Sequence, residues 1–343
     1  MSRRVRTLLV GGVLFLVLFV LTLTLPVPYV ILSPGPTFNT LGTDQFGHAI
    51  IVIGGRATKA ATGHLNMTTV DVSTQPISVF QALDGWLLSD EVVVPRSSVI
   101  PPGQSQQQVD RQNTQDFTQS QDNATVAALC QLKYPPGFGV VNVDPKGPAY
   151  GLLHVGDALV SLDGTSIDTA AKLTAVLQTE QPGKLVTIGV LRQGTPLSVQ
   201  VTLTTPAGTA KGARIGITVA TTCLAPFSVD VGLGNQIGGP SAGLMFALGI
   251  MDKVGTVDLT RGRFIAGTGT IDPLGNVGPI GGIQLKMLAA RRAGATVFLA
   301  PAGNCGDVLR DTPAGLDVIK VDTLAAAVHD LMALQSGQPV PHC

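Results

Sequence analysis

Ser241 stands between Gly239-Pro240 and Ala242-Gly243 at the head of an apolar run, and Lys286 follows on a second apolar run. A serine hydroxyl among small residues has room for a substrate but needs a base to attack an amide carbonyl. A lysine serves as that base only when neutral, which requires burial or a nearby positive field to lower its pKa. Residue types alone leave plainer readings open. Ser241 also suits the cap of the helix expected over 240–251, with Pro240 in the first turn. Lys286 also suits a side chain that snorkels from the helix expected over 283–293, which Gly294 stops. Spacing bears on the choice. Ile283, Lys286, Met287 and Ala290 share one helical face, whereas Gln284, Arg291 and Arg292 point elsewhere. The lysine therefore lies on the apolar stripe. A helix N-terminus behind Ser241 would direct N–H groups at a developing oxyanion. Pro240 has no N–H, so the expected donors are Ser241 with Gly238 or Gly239.

Elements around these residues follow from hydrophobic periodicity and turn chemistry. Strands are expected at 215–219, 227–231, 296–300 and 317–321, and a hairpin joins 263–271 to 276–280 across Asp272-Pro273-Leu274-Gly275. A closing helix is expected over 323–334. Strands alternating with helices imply a sheet covered by helices. Further upstream, strands are expected at 140–143, 158–162, 186–192 and 197–203, with a turn at Asp163-Gly164 and a helix over 169–178. Before these come an extended stretch at 31–45, a weak strand at 48–53 and a strand at 64–72. A helix over 77–88 places Val79, Leu83 and Leu87 on one face. The Gln/Ser/Asp-rich residues 101–123 read as a solvated helix or a linker, and Asn123 suits the cap of a helix over 124–132.

The N-terminus carries Arg3, Arg4 and Arg6 before an uncharged run over 8–25. Eighteen helical residues span about 27 Å, close to a bilayer's hydrocarbon core. The arginines should remain in the cytoplasm, leaving the bulk of the chain outside it. An uncleaved anchor is the expectation, and a cleaved signal peptide is its rival, although no Ala-x-Ala site follows. Lys and Arg equal Asp and Glu in number, 22 each. That balance gives no electrostatic case for nucleic acid as a partner. The four cysteines show no metal-ligand spacing, and no cofactor or metal is expected. In an exported chain they can oxidise. Cys223 and Cys305 fall in the same expected unit and are the first pair to test, with four free thiols as the alternative. His329 stands beside Asp330, but no spacing ties it to Ser241, and it reads as a surface residue of the closing helix.

Two resemblances then bear on function. Gly137-Phe138-Gly139-Val140, Gly147-Pro148-Ala149, Gly151-Leu152, Gly156-Asp157, Leu159 and Leu162-Asp163-Gly164 together resemble the PDZ domain of bacterial envelope proteases, over about 137–205. That resemblance implies peptide binding by strand addition. Gly137, Phe138, Gly139 and Val140 would form the carboxylate-holding loop and helix 169–178 the other wall of the groove. Gly239 to Gly243, Gly267-Thr268-Gly269 and Gly281 to Gly294 resemble, in order, three motifs of the Lon proteolytic domain. This second resemblance implies Ser241 as nucleophile, Lys286 as general base and Thr268 as the residue orienting the dyad. Gly238 stands where that family commonly has an acidic residue, and Gln284-Leu285 where it commonly has a charged pair; both departures bear on specificity.

With its apolar N-terminus, the chain resembles membrane-anchored, PDZ-containing Lon-like proteases of bacteria. The implied fold class is an α/β (α+β) Lon-type proteolytic domain plus a small β-rich PDZ domain and one N-terminal transmembrane helix. Expected divisions are an anchor at 1–30, an extracytoplasmic segment at 31–124, PDZ at 125–205, the proteolytic domain at 206–335 and a tail at 336–343. Residues 63–68 resemble an early Lon strand, so PDZ is expected to be inserted within the proteolytic domain. No Gly-x-x-x-x-Gly-Lys-Ser/Thr phosphate loop occurs, so proteolysis is expected without ATP. Implied partners are protein or peptide substrates, the membrane, and further copies of the chain in a ring. The rival reading is a non-catalytic PDZ scaffold or a sensor of exposed C-termini.

Overall fold

The computed structural model describes residues 3–343 apart from 74, 88–89, 206–211, 224, 226 and 234–236. Helix α1 (Arg3–Thr24) buries none of its residues, and among the described residues it alone is long and apolar enough to cross a membrane. After it come β1 (Tyr29–Asn39), β2 (Ile51–Gly54), β3 (His64–Val72), α2 (Val79–Leu87) and β4 (Val92–Pro95). The polar stretch that followed as helix or linker is one helix, α3 (Gln106–Gln131). Its N-cap is Ser105, in a reciprocal capping box with Gln108. Asn123 caps nothing; it lies inside α3 and donates to Ile271 O. Although α3 is polar overall, Val109, Phe117, Ser120, Ala124, Ala127 and Ala128 recur at helical spacing and are buried. That stripe packs on a later helix, α5.

The next elements are β5 (Pro136–Val143), β6 (Ala158–Leu162), α4 (Ala170–Thr179), β7 (Leu185–Arg192), β8 (Thr195–Thr202) and β9 (Ile217–Cys223). They form an antiparallel sheet in the order β8-β7-β6-β5-β9 around its own core of Val140, Leu162, Ile188 and Val201. The β7–β8 hairpin turns on Gln193 and Gly194, both at positive φ, as a two-residue hairpin requires.

The remaining elements are β10 (Ser228–Val231), α5 (Gly243–Val254), β11 (Phe264–Gly267), α6 (Ile283–Arg292), β12 (Val297–Pro301), α7 (Cys305–Val308), β13 (Asp317–Val321) and α8 (Leu324–Gln335). Three of these strands join three from the start of the chain in a second sheet, ordered β13-β12-β11-β3-β1-β4. Strands β13, β12, β11 and β3 are parallel, and β1 and β4 continue antiparallel. In the β3–β11 register, Leu65 faces Ile265 and Met67 faces Gly267, so the centre of this sheet is closed by residues from both ends of the sequence. Helix α5 is apolar from Gly243 to Met251 and buries every residue but Lys253.

All four cysteines are paired, but not as Cys223–Cys305. The bridges are Cys130–Cys223 and Cys305–Cys343, with Cα–Cα distances of 5.1 and 5.0 Å. The physical reason is that β9, which carries Cys223, belongs to the sheet that contains β5 and runs past the end of α3. Cys305, on α7, meets the C-terminal tail instead. Cys130–Cys223 closes 93 residues of chain, and a loop of that size is expected to contribute about 2–5 kcal/mol. Cys130→Ser should therefore lower the midpoint of thermal unfolding by several degrees under oxidising conditions and change nothing under full reduction. Calorimetry with and without reductant checks this.

Candidate functional site

Ser241 lies just ahead of α5, not within it: the helix begins at Gly243, two residues after the serine. The N-cap residue is Ala242, and no side chain caps this end, so Ser241 is not a helix cap. Its hydroxyl instead meets Lys286, whose Nζ lies 2.6 Å from Ser241 Oγ. Lys286 Nζ also donates to Thr268 Oγ1 at 3.1 Å, and Thr268 Oγ1 donates to Ser241 O at 3.0 Å. Gly269 N–H donates to the same carbonyl at 2.8 Å. Thr268 thus holds the backbone of the serine and the amine of the lysine together.

Each position has a local cause. Thr268 sits at the end of β11, where Thr268 N–H bonds to Leu299 O of the neighbouring β12. Lys286 is in the second turn of α6, whose N-cap Gly282 adopts a left-handed φ of 68°. A side chain there would be strained and would press on Val70. The close fit of Gly243 explains the small residue after Ser241-Ala242: a Cβ on it would come within 2.8 Å of Ile271 Cγ2 and Ser120 Oγ.

Lys286 is 3% exposed and does not snorkel. Burial alone pushes its pKa down from 10.5 to about 8. Near neutrality, then, an appreciable fraction of this amine is unprotonated beside a hydroxyl it can deprotonate.

Ser241 and Lys286 open on a cavity of about 380 Å³. Its apolar lining includes Phe38 of β1, Met67 of β3, Phe117 of α3 and Ile237, with Thr68 and Asp71 of β3 adding polar edges. Helix α3 is the part that sequence reasoning missed. Its Asn113 O accepts from Gly239 N–H at 2.8 Å, and Ser120 Oγ donates to Pro240 O at 2.9 Å. Phe117 packs edge-on to Phe246 of α5, ring centroids 5.7 Å apart. The available signal was the Ser105–Gln108 capping pair followed by apolar residues at helical spacing.

One expected oxyanion donor is corrected by this contact. Gly239 N–H is engaged by Asn113 O, because α3 crosses directly over the serine loop. Ser241 N–H has no protein acceptor among the described residues. His329 pairs with Asp330 at 3.1 Å on α8 and does not line the serine cavity.

The expected carboxylate loop is also corrected. Residues Gly137, Phe138, Gly139 and Val140 lie in β5, facing Thr222, Thr221, Ala220 and Val219 of β9. On the other side Gly139 pairs with Ala158 of β6. A strand already flanked cannot accept a peptide by strand addition, which needs a free edge. The end strands of this sheet are β8 and β9, and β9 is the one that flanks β5. The chain entering β9 touches the end of α4, where Ala213 N–H donates to Leu177 O.

Comparison with known proteins gives two family matches that overlap at 177–203. Residues 109–203 match the PDZ domain family model, and residues 177–333 match that of the Lon protease (S16) C-terminal proteolytic domain. The periplasmic pH-dependent serine endoprotease DegQ of Escherichia coli is 34% identical over 94 residues, 27% of this chain and 21% of DegQ. The Lon protease of Roseiflexus castenholzii is 34% identical over 131 residues, 38% of this chain and 16% of that protein. Lon protease 2 of Bacillus subtilis is 32% identical over 99 residues, 29% of this chain and 17% of that protein. The chain thus spans 16–21% of the length of these curated relatives. Among solved structures, the PDZ domain of the SdrC-like protein Lin2157 from Listeria innocua matches at 25% identity and a TM-score of 0.23, covering 24% of this chain and 92% of that one. Helix α3 falls inside the PDZ match although it walls the serine cavity, and β1 and β3 complete the mixed sheet from outside the Lon match. The sequence motifs and the family matches agree in placing a region like the Lon protease (S16) C-terminal proteolytic domain over 177–333 and a region like a PDZ domain over 109–203.

Proposed function

We propose that this chain is a membrane-anchored serine endopeptidase that cleaves protein substrates outside the cytoplasm without ATP. The observation that carries the reading is the 2.6 Å contact between a buried lysine amine and the Ser241 hydroxyl. Neutral Lys286 takes the Ser241 proton as Oγ attacks the scissile carbonyl. The resulting ammonium then gives that proton to the leaving amine as the C–N bond breaks. Water, deprotonated by the same lysine, hydrolyses the acyl-serine and restores both groups. Thr268 is a positioning residue: it orients the lysine amine toward Oγ. The Ser241 N–H is placed to receive the oxyanion.

The cavity beside Ser241, where Phe38, Met67 and Phe117 form an apolar wall, suits a medium-sized apolar side chain next to the cleaved bond. The free edge of β9 suits an extended substrate segment added as a further strand. The construction of the mixed sheet from both ends of the sequence supports a proteolytic unit interrupted by the PDZ sheet. Helix α1 and the three arginines near its start support an anchor with the remainder of the chain outside.

The test is incubation of the full chain in detergent micelles with an unstructured protein and no nucleotide. New peptide termini read by mass spectrometry are expected, and their absence would refute the proposed activity. Ser120→Ala removes one hydrogen bond that holds the serine loop, worth about 1 kcal/mol. Its expected effect is a roughly five- to tenfold lower kcat with little change in KM, measured with a fluorogenic peptide. An unchanged kcat would release α3 from any part in positioning Ser241.

A further inference from the structure

The helical face carrying Val79, Leu83 and Leu87 would ordinarily turn into a core, but α2 is mounted the other way round. Its buried residues are Ala82 and Gly85. Gly85 lies against Val93 of β4 and Ile31 of β1, where a larger residue would collide with Val93. The small face is therefore the one that packs on the sheet. The large residues face out: Phe80 is 49% exposed, Leu83 48%, Trp86 58% and Leu87 86%. At 100° per residue, Trp86, Val79, Leu83, Leu87 and Phe80 occupy one arc of roughly 120°. Gln81 and Asp84 lie beyond that arc, and both are exposed.

The position of this face says what covers it. Helix α2 begins where α1 ends. Val79 N–H donates to Leu25 O at 3.2 Å, and Pro26 and Val27 pair antiparallel with Ser78 and Ile77. The rings of Trp86 and Tyr29 meet edge to face, with centroids 6.0 Å apart. The arc is continuous with the exposed side chain of Leu25 and with the apolar length of α1. A nine-residue helix is only about 13 Å long, so all of α2 stays close to the level at which α1 leaves the bilayer. Tryptophan and tyrosine are favoured at that level, where an apolar ring meets a polar edge.

We propose that α2 lies in the outer membrane–water interface with Phe80, Leu83, Trp86 and Leu87 inserted among the lipid headgroups and upper acyl chains. This is a second contact with the bilayer beside the spanning helix, and it rests on the reading of α1 as an anchor. Its consequence is orientation. Helix α2 packs against β1 and β4, and β1 pairs with β3, which lines the serine cavity. A docked α2 fixes the height and tilt of that cavity over the membrane, where α1 alone would leave the body free to swivel.

Trp86 is the only tryptophan in the sequence and reports its own surroundings. The experiment places the full chain in phosphatidylcholine–phosphatidylglycerol vesicles whose acyl chains carry bromine at either shallow or deep positions. Blue-shifted emission is expected, with stronger quenching by shallow than by deep bromines, for a helix buried about 5–10 Å into the interface. The control is Trp86→Phe combined with Phe15→Trp, which moves the reporter into the middle of α1. Deep bromines should quench it. If the α1 reporter is quenched and Trp86 is not, the anchor stands and the interfacial helix is refuted. Red emission from Trp86 would then mean open solvent, and blue emission a protein partner. If neither reporter is quenched, the anchor reading fails and this proposal falls with it.

Discussion

Ser241→Ala is expected to lower cleavage of both protein and peptide substrates by at least about 10³-fold, because no other group can form the acyl intermediate. The protein should otherwise remain as it is. The substitution removes one oxygen at the head of α5, while the Ser241 carbonyl keeps its bonds from Thr268 and Gly269. Lys286 keeps its bond to Thr268. Circular dichroism and the unfolding midpoint should match those of the parent, and binding of an uncleaved substrate should persist. A purified Ser241→Ala protein that retained more than a few per cent of parental turnover would remove Ser241 from the nucleophile's role. The same variant serves as a substrate trap. Comparing membrane and secreted fractions of cells carrying it with those of cells carrying the parent would show which proteins accumulate uncut.

The second large effect concerns the lysine. Burial places the Lys286 pKa at about 8, and the base form is the deprotonated one. Activity should therefore rise with pH and level off above that value. Below it, kcat/KM should fall about tenfold per pH unit, since the neutral fraction does. Lys286→Arg keeps the charge and much of the length but cannot lose a proton. It should reduce turnover by at least about 10³-fold at every pH, even though it places a cation in the same pocket. Lys286→Met should be equally inactive but more stable than the parent near neutral pH, because it replaces an amine that burial disfavours in its charged form. A profile flat between pH 6 and 9 would count against lysine as the base. So would an active arginine variant.

How much of this could be read from the chain depends on the range of the interactions involved. Local patterns carried most element positions: β3 spans the stretch read as a strand, α6 the stretch read as a helix up to one residue, and Thr169 and Thr323, expected as the first residues of two helices, are their N-caps. The apolar face holding Lys286 came from periodicity alone. Three points could not be read that way. The residues expected as a carboxylate-holding loop, Gly137 to Val140, lie in β5, which is interior because β9 (Ile217–Cys223) returns to pair with it, and edge or interior status is a property of the whole sheet. Cys130 meets Cys223 because of that same pairing. The outward mounting of α2 follows from Gly85 fitting under Val93, a contact in which the small side of the helix wins the core and the large side is left for lipid.

By itself, the sequence determined which residues could do the chemistry and which faces of which helices would carry them. The spacing of small and apolar residues around Ser241 and Lys286 is a local property of each helix. Only the tertiary structure showed that Ser241 is not a helix cap and that Lys286 is buried rather than snorkelling, the arrangement on which the proposed nucleophile and base rest. That arrangement depends on the 2.6 Å contact between Ser241 Oγ, just ahead of α5, and Lys286 Nζ on α6, and on the burial that makes the lysine pKa fall. It also depends on α3, a polar segment with no catalytic signature. That helix closes the serine loop from above because its buried stripe fits α5.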